Sequence, residues 1–463
     1  MHIQIKKGLD IPIKGSPAGH LLPYLAGVDG QQPKNPLQIA LDLKPFQDLR
    51  MRVLVKKGDN VKIGQPLAED KDVPGRYFVS PAGGVVADVR RGHKRVLEDI
   101  IIDVADKEEE VIFTTIDPKQ ISKDRLIELL MEAGLFTAIR TRPFSLLADP
   151  FKKPRAIFVK GLESAPFAPA MELQLQGLEK ELIVGLELLS ILTDGKVHFV
   201  CREESSLCDH TYPPKVNVHT ASGPHPISNY SVHIQSIAPI MGIDDVVWTV
   251  HAADVAAIGH LALTGKYQTK RVISIAGPAI LKGKTGIFTI RRGYPISALI
   301  AGRVPNESTR LISGDPLMGV RVTANDYMRF GDVVFCAIPE NNTREFGHFF
   351  RLGMHKYSFS KAYLSGHFDG HDGYDFTTNQ HGEHRAFVDS SLYDKVMPLD
   401  VPTMLLVKAI MAEDFDLASD LGLLEVDSED FALPTFVCPS KMEMSEIVAA
   451  GLRRYALECF AGV

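Results

Sequence analysis

The chain has 463 residues, room for about three or four domains with full-sized cores and no need of disulfide staples. Its net charge of -6, with acidic and basic residues mixed along the sequence, offers no basic face for nucleic acid. Five scattered cysteines (Cys201, Cys208, Cys336, Cys438, Cys459) form no CxxC pair and suit a reducing cytoplasm, and no apolar run reaches the roughly 18 residues of a membrane span. The start, MHIQIKKGLDIPIKG, lacks the apolar segment of a signal peptide, so the expectation is a soluble protein that meets a membrane only through a partner. Residues 1–35 read as an extended docking segment, because Gly8, Gly15 and Gly19 with Pro12, Pro17 and Pro23 leave no pattern for a core. Removing residues 1–24 should then leave the other domains folded but block docking.

Residues 36–105 carry two similar halves, VKKGDNVKIGQPLAEDK and SPAGGVVADVRRGHKRVLEDIII. Each sets glycines at tight turns between short alternating apolar runs, which is hairpin chemistry. Val53, Val55, Val61 and Ile63 from one half and Val85, Val86 and Val89 from the other are expected to face a shared core. The pair resembles the biotinyl/lipoyl barrel-sandwich module. Carriers of that kind hold their lysine in a short EAMKM or ETDKA-like turn, whereas Lys71 in EDKD is followed by Val73-Pro74-Gly75. The module is therefore read as structural, with Lys71 unmodified.

Residues 106–262 change to helical and parallel-sheet patterns and are read as a Rossmann-like α/β domain. Ser122 can cap a helix over DRLIELLMEAG with Leu126, Leu129, Leu130 and Ala133 on one stripe and Gly134 at its end. AIFVK (156–160) and VHFVC (197–201) read as strands around the helix LEKELIVGLELLSIL, the order of a parallel sheet. No GxGxxG follows a strand, so a dinucleotide site of the usual kind has no support. Residues 263–339 return to alternation in RVISIAGPAI and TGIFTIRRG, then a helical ISALIAG, and look like a β-grasp domain of the soluble-ligand-binding (SLBB-like) type. In residues 340–463, VPTMLLVKAIMAED, FDLASDLGLLEV and MSEIVAAGLRRYALECF are helical in period, the last with Ile447, Leu452, Tyr455 and Cys459 near one side. A C-terminal helical domain is expected.

The stretches AGLFTAIRTRPFS (133–145), KGLESAPFAP, VWTVHAADVAAIGHLALTG, RLISGDPLMG, KVMPLDVPTMLL and DFALPTFVCPSK carry a resemblance over nearly the whole chain. It is similar to the NqrA family of the sodium-translocating NADH:quinone oxidoreductase. The layout also resembles, more distantly, the RnfC component of the Rnf complex and the flavoprotein subunit of respiratory complex I. Those relatives carry a glycine-rich flavin-phosphate loop where this chain has TAIRTRPF and an acidic-cysteine segment where it has GLESAPF. The resemblance implies a peripheral subunit on the cytoplasmic face of a bacterial inner membrane. Its partners would be the other subunits of the complex, above all the quinone-binding membrane subunit, with ubiquinone at their interface and no nucleic acid. The complex would use NADH, flavins, iron–sulfur centres and ubiquinone, its quinone reduction coupled to sodium export. The alternatives are a flavin- or cluster-bearing electron-transfer protein of the RnfC type, and a lipoyl-type carrier.

Physical chemistry weighs those replacements. Residues 138–143 contain no glycine and one proline, a poor start for a nest of converging N–H groups, so no tightly bound flavin is expected in this chain. Arg140 and Arg142 remain as candidates for an anion or a partner subunit, or as surface ion pairs. FVCPSKM keeps only Cys438, and one thiolate does not hold a cluster that takes four. Two histidine-rich stretches, with His210, His219, His225 and His233 and with His367, His371, His381 and His384, lack a fixed ligand spacing. Asp369, Asp372 and Asp375 do not follow the spacing of an EF-hand, so no metal site and no catalytic residue is assigned. The family likeness of the first histidine stretch implies a partner-contact or quinone-proximal role.

Overall fold

A computed structural model of the chain describes residues 1–22, 38–305, 308–342, 346–347, 350–368 and 372–460. The glycine-punctuated valine runs fold as two small antiparallel sheets. One orders Gln38–Asp42, Leu97–Val104, Gly84–Arg91 and Asn60–Val61, and the other Met51–Val53, Pro66–Asp70 and Tyr77–Val79. Gly58 and Gly64 take φ values of +91° and +78°, the left-handed region their turns require. Val61 and Val86 are buried, and Val53, Val55 and Val89 pack at the margin of the same core. Two of the expected core residues go elsewhere. Val85 is 39% exposed, because neighbours on a strand point to opposite faces and burial of Val86 turns Val85 outward. Ile63 packs instead against the core of the next unit.

That next unit is built on a seven-stranded sheet. Its spatial order is His2–Gln4, Val216–Ser222, Lys196–Arg202, Ala156–Gly161, Val247–His251, Arg140–Arg142 and Leu146–Leu147. The first five strands run parallel and the last two antiparallel. Both faces are covered, so the strands are apolar on both. Ile157 and Val159 meet the helices Glu179–Leu192 and Ala252–Thr264, while Phe158 meets Ile234 of the helix Tyr230–Ile237. Ser122 caps the helix Lys123–Glu132 through an accepted Arg125 N–H, and Gly134 follows it at φ +69°.

A mixed six-stranded sheet comes next, ordered Val320–Val322, Thr309–Ser313, Val334–Pro339, Lys270–Ala276, Gly286–Arg291 and Leu21–Leu22, with the short helix Ile296–Ile300. It shares one core with the first unit: Ile39, Leu67, Phe78 and Ile100 pack in the same cluster as Ile273, Phe288 and Phe335. The helices of the last unit begin only at Thr403, with Thr403–Met411, Phe415–Asp420, Ala432–Val437 and Met444–Phe460. The described residues 340–402 hold short helical turns such as Leu364–His367 and no α-helix, since that glycine- and histidine-rich stretch has no helical period.

The first 22 residues are not a free docking arm. His2–Gln4 extends the parallel sheet beside Val216–Ser222, Ile3 is 4% exposed, and Leu21–Leu22 pairs with Ile287 and Phe288 of the six-stranded sheet. Residues 23–37 lie outside the described residues. The sequence has no long apolar run here because two short strands on opposite sheets need only one or two buried side chains each. The expectation that residues 1–24 can be removed without cost to the other domains is corrected accordingly: deletion of residues 1–22 should lower the melting temperature of the chain. Gly15→Ala is the finer test. At φ +92° its Cβ would lie 2.3 Å from the Gly277 carbonyl carbon, so thermal denaturation should show a loss of at least about 1 kcal/mol.

Candidate functional site

The chain order reverses direction across the parallel sheet between Ala156–Gly161 and Val247–His251, where open sheets leave a crevice beyond the carboxyl ends of their strands. Lys160 and His251 are register partners at those ends. Glu163, in the loop just beyond, reaches both. Its Oε1 lies 2.7 Å from His251 Nε2 and its Oε2 accepts from Lys160 Nζ at 3.4 Å. His251 also caps the helix Ala252–Thr264, its Nδ1 accepting the Ala253 N–H at 3.3 Å. That bond fixes the tautomer, leaving Nε2 to donate to Glu163. Burial works against the Glu163 charge, but Lys160 and His251 prevail and hold its pKa at about 2.

The crevice, about 370 Å³ in volume, has walls from three units. Asp315 and Asp332 come from the six-stranded unit, Asp427 and Glu429 from the C-terminal unit, and His225 and Ser228 from the parallel unit. Burial pushes Glu429 up to about 8, with Asp430 and Asp427 adding to burial and Lys160 opposing it. Asp315 and Asp332 are also raised by burial. Burial, aided by Lys160, lowers His225 to about 4, and its Nδ1 sits 3.0 Å from Ser164 Oγ. The site therefore offers a neutral carboxylic acid, a neutral imidazole and the Lys160 cation, whose Nζ stands 5.6 Å from the Tyr230 ring centroid. Such a set can hydrogen-bond a polar ligand and exchange a proton near neutral pH. A second cavity, beside Arg271 and Arg329, measures only about 30 Å³, close to the space of one water.

Arg140 and Arg142 lie on the strand next to this crevice, on a piece of chain with other commitments. Arg140–Arg142 pairs with Val247–Thr249 on one side and Leu146–Leu147 on the other, and the N–H groups of Ala138 and Ile139 go to Leu135 and Phe136. The backbone N–H groups there do not converge. Arg142 is not a surface residue: 1% exposed, it donates to Ser231 Oγ at 3.0 Å and to the Glu425 carbonyl at 2.9 Å, and sits 3.8 Å from Asp427. Its reading as a surface pair or partner contact is corrected, since burial reserves the guanidinium for internal acceptors. Arg140 lies over the Phe46 ring at 5.2 Å, bridging to the first unit.

The other sequence candidates separate. His219 Nε2 meets His198 Nδ1 at 3.0 Å, His233 donates to the Ile227 carbonyl at 2.8 Å, His210 is exposed, and of the first histidine set only His225 reaches the crevice. His367 donates to the Lys361 carbonyl and His384 is exposed, while His371 and Asp369 lie outside the described residues. Among the described residues no group of three or more His, Cys, Asp or Glu side chains is placed to hold a metal. Cys438 is buried beside the Tyr393 hydroxyl at 3.2 Å. Lys71 is exposed, but its loop is tied down by Arg76, which donates to Asp70 at 3.1 Å and to the Ala148 carbonyl of the parallel unit at 2.7 Å. Sequence reasoning did not single out Lys160, Glu163, His251 or Glu429. A usable signal existed for three of them: polar residues directly following apolar runs in AIFVKGLE and VWTVH.

A barrel-sandwich unit, a parallel α/β unit and a mixed-sheet unit locked together in that order, with a polar crevice at their junction, define a multidomain α/β scaffold. Three family models match in the same order. They are the N-terminal barrel-sandwich hybrid domain of NqrA at residues 3–105, its second alpha/beta domain at 121–267, and the NQRA C-terminal domain at 272–324. The NqrA subunit of the Na(+)-translocating NADH-quinone reductase of Chlamydia pneumoniae is 37% identical over 99% of this chain and 98% of its own length. That of Tolumonas auensis is 35% identical over 98% and 100%. The chain belongs to the NqrA family of Na(+)-translocating NADH-quinone reductase subunits. The Rnf-type and lipoyl-carrier alternatives are not favoured by these matches. Among the described residues no helix is long and apolar enough to cross a membrane.

Two outcomes follow from the site. Glu429 holds its proton more tightly folded than unfolded, from an ordinary 4.5 to about 8, so its stabilising contribution is complete below about pH 4.5 and lost as pH rises through 8. Glu429→Gln, neutral at every pH, should therefore melt higher than the parent at pH 9 and nearly with it at pH 5. Arg142→Ala should cost about 3 kcal/mol in chemical denaturation, because Ser231, the Glu425 carbonyl and Asp427 lose a buried donor.

Proposed function

We propose that the chain is a peripheral subunit of a sodium-translocating NADH:ubiquinone reductase, bound at the cytoplasmic face of the membrane and serving the quinone-reducing step without a flavin or iron–sulfur centre of its own. One observation supports the last part above all. The segment 138–143, where more distant relatives carry a phosphate loop, is spent on a two-sided strand and a turn, and the bonded Lys160–Glu163–His251 group lines the neighbouring crevice. A phosphate brought there would find no set of free N–H donors and would stand against Glu163, whose charge persists to low pH. Quinone reduction then belongs to the assembly, with ubiquinone held where this chain meets the membrane subunit that supplies an apolar cavity. On the same reading the parallel unit is Rossmann-like by descent, the six-stranded unit is β-grasp, and the last unit is a helical interaction domain.

The experiment is a visible spectrum and an intact mass of the purified chain, followed by co-purification with the remaining subunits. The expected result is a colourless protein, no added mass at Lys71, and stable incorporation into a complex with sodium-dependent quinone reductase activity. One flavin per chain, a lipoyl or biotinyl mass increment, or failure to incorporate would overturn the corresponding part of the reading.

A further inference from the structure

Where the first unit meets the six-stranded sheet, the Ala40 N–H donates to the Gly293 carbonyl, and beside that contact lies the small cavity of about 30 Å³. Four arginines line it: Arg271, Arg291, Arg292 and Arg329. Three of them are committed through their terminal nitrogens. Arg271 Nη2 and Arg292 Nη2 donate to Asp254, while Arg291 donates through Nη1 and Nη2 to Glu108 and through Nη2 to the Pro81 carbonyl. One nitrogen of each arginine, Arg271 Nη1 and the Nε of the other three, is buried with no acceptor among the described residues. A Cβ at Gly331, also in the wall, would stand 3.7 Å from Arg271 Nη1, which sets that nitrogen against the cavity, and Arg271 as a whole is only 8% exposed.

Orphaned donors gathered around one small space call for an acceptor. A water makes about three hydrogen bonds and accepts at most two, so it leaves part of the set unserved. The acids in the wall do not serve it either. Asp42 Oδ2 takes the Phe330 N–H at 2.9 Å and lies 3.9 Å from Arg329 Nε, beyond hydrogen-bond reach, and Asp332 Oδ2 accepts from Ser313 Oγ at 2.6 Å. Charge leads to the same conclusion. Glu108 and Asp254 offset two of the four guanidinium groups. For the other two the wall supplies Asp42 and Asp332, and burial works against the charge of both, pushing Asp42 up to about 6 and Asp332 in the same direction. Lys44 and Asp99, which also face Asp42, pair with each other at 3.0 Å. A monatomic anion accepts from several donors at once and is scarcely larger than a water, whereas phosphate, sulfate and carboxylate ligands are too large for this space.

We propose that Arg271, Arg291, Arg292 and Arg329 bind one halide ion, of which chloride is the common form, as a structural ligand that ties the first unit to the six-stranded sheet. The site is separate from the crevice, and the inference does not depend on the subunit reading. Asp42 and the ion both draw on Arg329, so the ion binds more tightly once Asp42 has taken up its proton, as pH falls through about 6. Because the ion binds the folded chain, each tenfold rise in its concentration above Kd multiplies the folded-to-unfolded ratio by about ten.

The test is thermal denaturation of the full chain, freed of halide in sodium gluconate and then exchanged at constant ionic strength into sodium chloride or sodium bromide. Both halides are expected to raise the melting temperature with the logarithm of their concentration, and to do so at lower concentration near about pH 6 than near about pH 8. Arg329→Gln alters a side chain that is 22% exposed, so it should melt close to the parent in gluconate yet need about tenfold more chloride for the same rise. Asp42→Asn should need about tenfold less. In crystals of the parent grown in bromide, anomalous scattering should place a bromine in the cavity beside Arg271 and Arg329. Equal melting in chloride and gluconate overturns the proposal, and so does a chloride effect that Arg329→Gln leaves unchanged, since the ion then acts elsewhere. A water in the cavity in place of bromine overturns it as well. A bromine seen there without any effect in solution is binding at crystal concentration only, and counts against the proposal in the same way.

Discussion

One carboxylate sets the geometry on which the rest depends. Asp254, in the first turn of the helix Ala252–Thr264, accepts from Arg271 and Arg292 of the six-stranded unit, each at 2.8 Å from the same oxygen. Burial opposes its charge, yet the two guanidinium groups hold it well below the usual carboxylate range, and the positive end of the helix lies on the same side. A buried triad of this kind adds little net stability over apolar packing, but its removal piecemeal leaves an unpaired charge. Its use here is orientation. The helix that carries Asp254 begins at His251, so the bond that fixes one sheet against the other also fixes the imidazole that Glu163 meets.

The crevice is a consequence of that placement. Three units bring carboxyl groups toward one space, and low permittivity does not permit them all to ionise together. The compromise is visible in the directions of the shifts: Glu163 takes the charge of Lys160 and stays ionised, while Glu429, Asp315 and Asp332 are displaced upward by burial. Among these groups Glu429, raised to about 8, keeps its proton at neutral pH, so carboxyl groups rather than anion-binding donors dominate the space. Arg142, one strand away, could have balanced a phosphate. It faces Ser231 and the Glu425 carbonyl instead, which couples the parallel unit to the C-terminal unit.

Local elements with a strong period were legible in the sequence. Ser122 as cap and the stripe Leu126, Leu129, Leu130 and Ala133 rest on contacts within a few residues, and the strands at 156–161 and 196–202 announce themselves as short apolar runs, so that propensity and burial agree in each. What the sequence hid were pairings between distant short pieces. His2–Gln4 and Leu21–Leu22 are too short to show a period, and their partners are roughly two or more hundred residues away. Arg142 illustrates the same limit at the site: an arginine between Thr141 and Pro143 reads as exposed, and only the sheet and the C-terminal unit closing over it make it interior. Glu429 carried no signal because its environment is assembled from three units, whereas Lys160, Glu163 and His251 were readable in principle from strand-end position.

The first unit shows how a fold suited to a moving arm becomes a fixed strut. In a swinging carrier the lysine turn must stay clear of the body. Here the loop that holds Lys71 is bound by Arg76 to the Ala148 carbonyl, and the opposite side of the unit shares a core with Ile273, Phe288 and Phe335. Gly293 makes the closest approach, accepting the Ala40 N–H at 3.1 Å where any Cβ would strike the Ala40 carbonyl. Freeing the loop would expose the apolar surface of both units and break a buried guanidinium bond, so motion of this unit relative to the others is opposed at both ends.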